Sequence, residues 1–447
     1  MSRSSLLRLY SAAFYALVPF ILLRLFWRGI RALVGETRSA DGTRSGLRLP
    51  GYWRRISERF GHIGPIDRPV IWLHAVSVGE TQAAAPLVRA LLDRFPRYRL
   101  LVTTMTPTGS ATVRRLFDDE VAHCYVPYDL PSAVGRFLDR VQPAIAIVME
   151  TELWPNLFHL CRDRGIPVMV ANLRLSERAV QRYLRFPRLM RATLAQATVL
   201  APQTQADAER VRRLGAPGEI VHVTGSIKFD VNLSASVREA TEVLRGQWGR
   251  DRPVWLAAST HEGEEELVLA ARTQLTRRFP DHLLVIVPRH PERFAPVARL
   301  TKKSGCRTAL WSERRGPIDA AVEVLIGDTM GELQLFYGAA DVAFIGGSLV
   351  PTGGHNLLEA AAVGTPVVFG PHMHNFTEIA RLTLERGAGV QVMNATQLAP
   401  AISDFMGNAN RRFNAGEAGK RMVAENRGAV ERTLELIGKL IPADPHA

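Results

Sequence analysis

Short apolar runs alternate with helical patterns along this chain of 447 residues. Residues 70–74, 100–104, 144–149, 168–172 and 198–201 are continuous or nearly continuous apolar runs, each followed by a turn and then, as at 81–93, by a helical stretch. A strand buried on both faces is written as such a run, and alternation with helices predicts a parallel sheet wrapped by helices. The pattern restarts beyond a polar stretch, with runs at 253–258, 283–287, 322–326, 342–345 and 366–369. The expected organisation is a Rossmann-like domain over 36–230, a linker over 231–251 and a second Rossmann-like domain over 252–425. A terminal segment, 426–447, holds an amphipathic helix at 430–441 that is expected to cross back to the first domain.

Ahead of these elements, residues 9–23 form an uncharged apolar run flanked by Arg3 and Arg8 and by Arg24, Arg28 and Arg31. The run is shorter than the roughly 20 residues that span a bilayer. Residues 1–35 therefore read as a membrane anchor, either an uncleaved signal-anchor or a helix lying in the interface with Trp27 at headgroup level; a buried core helix is the alternative. Residues 36–49 are a polar linker.

Composition sharpens this picture. The net charge of +13 points to an anionic partner: nucleic acid, a membrane surface or a phosphorylated substrate. No nucleic-acid-binding module is recognisable, so charge alone supports the first. Residues 174–191 are dense in arginine and interleaved with Val180, Tyr183, Leu184, Phe186 and Leu189, a pattern shared by lipid-facing and merely solvated surfaces. Cys124, Cys161 and Cys306 show no C-x-x-C spacing, which argues against a disulfide framework or structural zinc. Lys228 is the single lysine of the first 301 residues in a chain that otherwise uses arginine.

Candidate chemistry concentrates where apolar runs end, the place where open parallel sheets bind ligands. Glu80 opens a helix after the first run and Glu150 closes the run at 144–149. Either carboxylate suits a general base or a stabiliser of developing positive charge, and either suits a helix cap or ion pair. In the second half, residues 344–371 pass from a strand through Gly353 and Gly354 into a helix expected to start at His355, then into a second strand. Glycines ahead of a helix N-terminus suit a nucleotide phosphate, with Glu359 placed for a ribose, although such turns also serve only to pack strand on helix. The spacing is neither G-x-G-x-x-G nor a Walker A loop. Two such domains facing across a cleft suit group transfer, and no motif calls for a metal or cofactor.

The motifs at residues 74–80, 149–156, 288–290, 327–332 and 353–359 together resemble the 3-deoxy-D-manno-octulosonic acid (Kdo) transferase family of lipopolysaccharide synthesis, over about residues 52–426 and the N-terminal anchor. The resemblance implies a GT-B glycosyltransferase fold and inverting transfer of Kdo from CMP-Kdo to an anionic lipid A precursor, lipid IVA. It places the protein at the cytoplasmic face of the cell inner membrane. It implies Glu80 as proton acceptor and Glu150 and Lys228 as transition-state stabilisers. Pro288 and Arg289, Met330, Gly331 and Glu332, and Asn356, Leu357, Leu358 and Glu359 match the CMP site. Gly225-Ser226-Ile227-Lys228 departs from the common Gly-Asn-Leu-Lys while keeping the lysine. A nucleotide-sugar epimerase of the same architecture and a non-catalytic membrane-tethered binder are the alternative readings.

Overall fold

A computed structural model describes residues 3–36, 53, 55–66, 69–231, 235–313 and 316–442. The chain forms two compact units, Met1–Asp230 with Gly428–Ala447, and Val231–Arg427.

The first unit is built on six parallel strands: β1 (Val70–His74), β2 (Arg99–Thr104), β3 (Ala122–Tyr125), β4 (Pro143–Met149), β5 (Val168–Leu173) and β6 (Val199–Pro202). Their order is β3-β2-β1-β4-β5-β6. Successive side chains of β1 point to opposite faces. Val70 and Trp72 join one apolar layer with Phe137 and Phe158, while Ile71 and Leu73 join the other with Leu87 and Val88. The terminal helix Ala429–Gly438 covers the second layer with Ala429, Leu434 and Ile437. Asp230 ties the chain's departure to its return: its carboxylate accepts from the backbone N–H groups of Gly428 and Val430, both at 2.6 Å.

The second unit holds seven parallel strands: β7 (Val254–Thr260), β8 (Leu283–Pro288), β9 (Thr308–Leu310), β10 (Val324–Ile326), β11 (Val342–Ile345), β12 (Val367–Phe369) and β13 (Gly389–Gln391). They run in the order β13-β12-β11-β7-β8-β10-β9. In both sheets the order reverses beside the first strand, between β1 and β4 and between β7 and β11, and crevices open at such reversals beyond the strands' carboxyl ends. The short strands β3, β9 and β13 were not expected from the sequence.

Residues 231–251 are not a bare linker. Ala235–Trp248 is an α-helix whose Leu244 and Trp248, one turn apart, are buried, with Trp248 stacked on Phe336 at 5.8 Å. The arginine-dense stretch also divides, into helices Glu177–Tyr183 and Pro187–Leu194, because Pro187 suits only a helix's first turn.

The N-terminal helix, Arg3–Glu36, lies on the first unit. The Tyr10 hydroxyl donates to Asp129 at 3.0 Å, the Ser11 hydroxyl donates to Asn156 Oδ1 at 2.8 Å, and Phe14 and Val18 pack on Tyr128, Leu130 and Ala133. Leu9, Leu17, Phe20, Leu23 and Trp27 are exposed. Among the described residues no helix is long and apolar enough to cross a membrane. Apart from Glu36, the polar stretch 36–49 lies outside the described residues.

Candidate functional site

The acidic part of the site forms where β1 and β4 end. Ser77 caps the helix Val78–Arg94: its hydroxyl oxygen accepts from Glu80 N–H at 3.3 Å and its O–H donates to Glu80 Oε1 at 3.0 Å. Glu80 Oε2 accepts from Val76 N–H at 2.8 Å, closing a capping-box-like loop. The cap and the candidate base are therefore one residue. Burial pushes the Glu80 carboxyl up to about 7 against the lowering pull of the Val76 N–H, and the neighbouring Glu150 and Glu152 push it further up.

Glu150 follows β4 directly with φ 58°, a conformation uncommon for a residue with a side chain and costly enough to need its surroundings to hold it. Its N–H is held by the Ala171 carbonyl at 2.9 Å. Glu152 was not singled out from the sequence, yet it faces the same charges: Trp154 Nε1–H donates to it at 2.7 Å and burial raises its carboxyl. His74, which ends β1, was missed too. Burial lowers it to about 4, so it is neutral, with Nδ1 2.9 Å from Thr103 Oγ1 and its ring edge-on to Trp154 at 5.1 Å.

Lys228 sits on the one-turn helix Ile227–Phe229, which packs against the helix that Glu80 opens. The buried Asn172, at φ 54° in β5, accepts from Ile227 N–H at 3.2 Å and so sets that turn. Glu80, Glu150 and Lys228 thus come from three separate parts of the chain to elements on the first unit. Glu80 and Glu150 are within electrostatic reach of each other.

In the second unit, the chain after β11 is held by Glu264, the first residue of the helix Glu264–Leu275. Its fully buried carboxylate accepts from the N–H groups of Gly347 at 2.6 Å, Ser348 and Leu349 at 3.0 Å each, and His261 at 3.0 Å. Gly353 and Gly354 then turn the backbone at φ 104° and 75°. At φ 75° Gly354 adopts a backbone conformation that residues with side chains rarely take, and a Cβ there would also crowd Met373 Sδ at 2.3 Å and the His372 carbonyl at 3.2 Å. These two turns delay the helix, which begins at Leu358 rather than His355 and ends at Val363. Asn356 spans the gap: its Oδ1 accepts from Leu358 N–H at 3.1 Å and its Nδ2 approaches Glu359 Oε1 at 3.4 Å.

Arg289 follows Pro288 at the end of β8, its N–H bonded to the Thr260 carbonyl at 3.0 Å, and its charge acts on the half-buried Glu359, whose carboxyl burial raises. Leu357 and Leu358 are fully buried, and the N–H of Leu358 is already taken by Asn356. Met330 and Gly331 are exposed, whereas Glu332 is engaged by Trp311 Nε1–H at 3.0 Å and by the Thr329 hydroxyl. One feature escaped sequence reasoning altogether: His261 and His355, 94 positions apart, meet with their Nε2 atoms 2.8 Å apart. Among the described residues no group of three or more His, Cys, Asp or Glu side chains could hold a metal ion.

Residues 54–231 match the family described as 3-deoxy-D-manno-octulosonic-acid transferase (kdotransferase), and residues 260–422 match glycosyl transferases group 1. The 3-deoxy-D-manno-octulosonic acid transferase of Haemophilus influenzae is 43% identical over 396 residues, covering 88% of this chain and 92% of that protein. That of Bordetella pertussis is 36% identical over 442 residues, covering 96% and 98%. A UDP-GlcNAc 2-epimerase structure from Neisseria meningitidis, at TM-score 0.53, 15% identity and coverage of 83% of this chain and 100% of that one, shares the fold alone, two parallel-sheet α/β domains of GT-B type. Identity of this extent over nearly the whole length settles the relationship: the chain belongs to the 3-deoxy-D-manno-octulosonic acid transferase family.

Proposed function

We propose that the protein is a glycosyltransferase that moves Kdo from CMP-Kdo to a lipid A precursor, lipid IVA, with inversion. The observation that carries the reading is Glu80: a half-buried carboxyl raised to about 7, at the carboxyl end of β1 and beside the point where strand order reverses. A base works best when its pKa lies near the working pH. The acceptor hydroxyl gives its proton to Glu80 as its oxygen attacks the ketosidic carbon. The bond from that carbon to the phosphate oxygen breaks, and the electron pair leaves with CMP. Attack opposite the leaving group inverts the centre. Lys228, a compact point charge, and Glu150 stabilise charge in the transition state, while Arg289, Asn356 and Glu359 hold the nucleotide. Pro288, the segment Met330–Gly331–Glu332 and, beneath them, Leu357 and Leu358 complete the CMP site. CMP-Kdo is an activated donor, so the reading calls for no group-carrying or redox cofactor, and the cations that it assigns to the leaving phosphate are protein side chains rather than a metal.

The acceptor is an anionic lipid, and the N-terminal helix supports a place at the cytoplasmic surface of the inner membrane. One face of that helix is spent on the first unit, through Tyr10, Ser11, Phe14 and Val18, and the other leaves Leu9, Leu17, Phe20, Leu23 and Trp27 exposed between flanking arginines. Such a helix lies in the interface plane. Phe186, 65% exposed among the arginines of 174–191, suits the same surface.

Incubation of the full chain with CMP-Kdo and lipid IVA, with the lipid weighed by mass spectrometry, tests the reading. The lipid should gain the mass of Kdo. A lipid of unchanged mass, while CMP-Kdo is bound or converted, overturns it.

A further inference from the structure

His261 follows β7, His355 follows the glycine turn after β11, and these strands are neighbours where the second sheet's order reverses. The two rings are almost parallel, 8° apart with centroids at 5.1 Å, and their Nε2 atoms stand 2.8 Å apart. Two nitrogens that close need one proton between them, so one ring donates Nε2–H and the other accepts. The tautomers follow: the donating ring keeps a bare Nδ1, and the accepting ring carries its one N–H proton on Nδ1. Gly347, at φ 65°, lies against the pair: a Cβ there would meet Thr352 Oγ1 at 2.7 Å and crowd His355 Nε2 at 3.2 Å.

Charges of both signs surround the pair, and Arg293 is itself paired with Glu265 at 3.0 Å and Glu262 at 3.7 Å, so Arg289 is the cation common to both rings. Arg289 and His290 face both rings, Arg293 faces His261, and the His290 ring meets His261 edge-on at 5.6 Å. Glu264 is the opposing charge on His261, and its carboxylate is already occupied by four backbone N–H groups. Burial and then Arg289 hold His355 down at about 3, and burial lowers His261 as well. The unliganded pair is therefore neutral near pH 7, with one bare Nδ1.

We infer that His261 and His355 together form an anion clamp for the donor's phosphate and carboxylate oxygens, and that the pair takes one proton from solvent when the donor binds. The inference rests on the donor site proposed above. An opposite charge within ~4–6 Å favours the charged form of a histidine by roughly one to three pH units, and CMP-Kdo brings two. The added proton goes to the bare Nδ1. Both Nδ1 atoms then carry N–H, the positive charge is shared across Nε2–H···Nε2, and the pair presents two donors. No bond of the donor changes in this step. When the bond to phosphate later breaks, the charge left on CMP meets a cation already in place.

Calorimetry of CMP-Kdo binding to the full chain without acceptor, at pH 6 in buffers of different ionisation enthalpy, tests this. The donor's phosphodiester and carboxylate hold their charge above about pH 5, so any proton exchanged belongs to the protein. The wild type should take up close to one proton per donor bound, with affinity falling by up to about tenfold per pH unit between the pair's unliganded and liganded titrations. His261→Gln and His355→Gln should each abolish the whole uptake, because one proton is shared, and should weaken binding about tenfold at pH 6. Wild-type binding with no uptake between pH 5 and 7 overturns the inference even if neither variant folds, as does full uptake in a folded variant. A wild type that neither binds CMP-Kdo nor transfers Kdo removes the donor site itself, which is a different failure.

Discussion

Glu80 and Glu264 occupy equivalent places in the two units. Each stands in the first turn of the helix that follows its sheet's first strand, and each turns its carboxylate back onto the preceding loop. Their partners differ. Glu80 receives one backbone N–H and one hydroxyl and remains half-buried, next to Glu150 and Glu152, so its proton is loosely poised. Glu264 receives four backbone N–H groups in full burial. Four N–H donors occupy that carboxylate's acceptor positions and dedicate it to architecture. One topological position thus yields a base or a brace, and the number of amides aimed at it decides which.

Removing the charge at each place breaks the comparison most directly. Glu80→Gln should lower kcat by about 10²–10⁴-fold while CMP-Kdo affinity stays within about twofold. Near-normal turnover would remove Glu80 from the mechanism. Glu264→Ala should instead act on stability, by about 3 kcal/mol or more in denaturant unfolding, because it strands buried N–H groups. A variant as stable as the wild type would show that the turn after β11 does not depend on its brace.

Smaller effects sharpen the same contrast. With the Glu80 carboxyl at about 7, the base is lost by protonation, so kcat at saturating CMP-Kdo, where donor affinity does not enter, should fall about tenfold per unit as pH drops below 7 and level off above it. A flat profile from pH 5 to 8 contradicts a base with that pKa. Lys228→Arg should cost roughly tenfold in kcat, since a planar guanidinium does not copy a point charge on the turn that Asn172 sets. Full activity would make the lone lysine incidental. Tyr10→Phe, which deletes a hydrogen bond to the buried Asp129, should lower stability by about 1–2 kcal/mol. No change on unfolding would mean that the N-terminal helix is not fastened there.

Much of the sheet architecture was legible because strands covered on both faces must be mostly apolar, as in β1 and β7, where every residue is buried and the polar ones, His74, Ser259 and Thr260, come at the carboxyl ends. Three of the four edge strands, β3, β9 and β13, were not. Strands β9 and β13 have three residues each and are only partly covered, too little for a pattern. The helix Ala235–Trp248 was hidden because its apolar face is mainly Leu244 and Trp248 among charged neighbours, and only contact with Phe336 shows what that face is for. At the Gly-Gly-His-Asn stretch, residue types announced a turn, but two positive-φ glycines and the Asn356 bridge to Leu358 N–H placed the helix start three residues later than local pattern suggested.

Read alone, the chain determined its two parallel-sheet units, its family and the residue types available at the strand ends, because hydrophobic periodicity and motif spacing are local properties. Tertiary structure decided which of those residues meet and how many donors each receives. That Glu264 gathers amides from residues 347–349, that Glu80 keeps company with Glu152, and that two histidines 94 positions apart share a proton all depend on through-space distances. Charge and hydrogen bonding act over a few ångströms in space, and separation along a sequence carries no record of them.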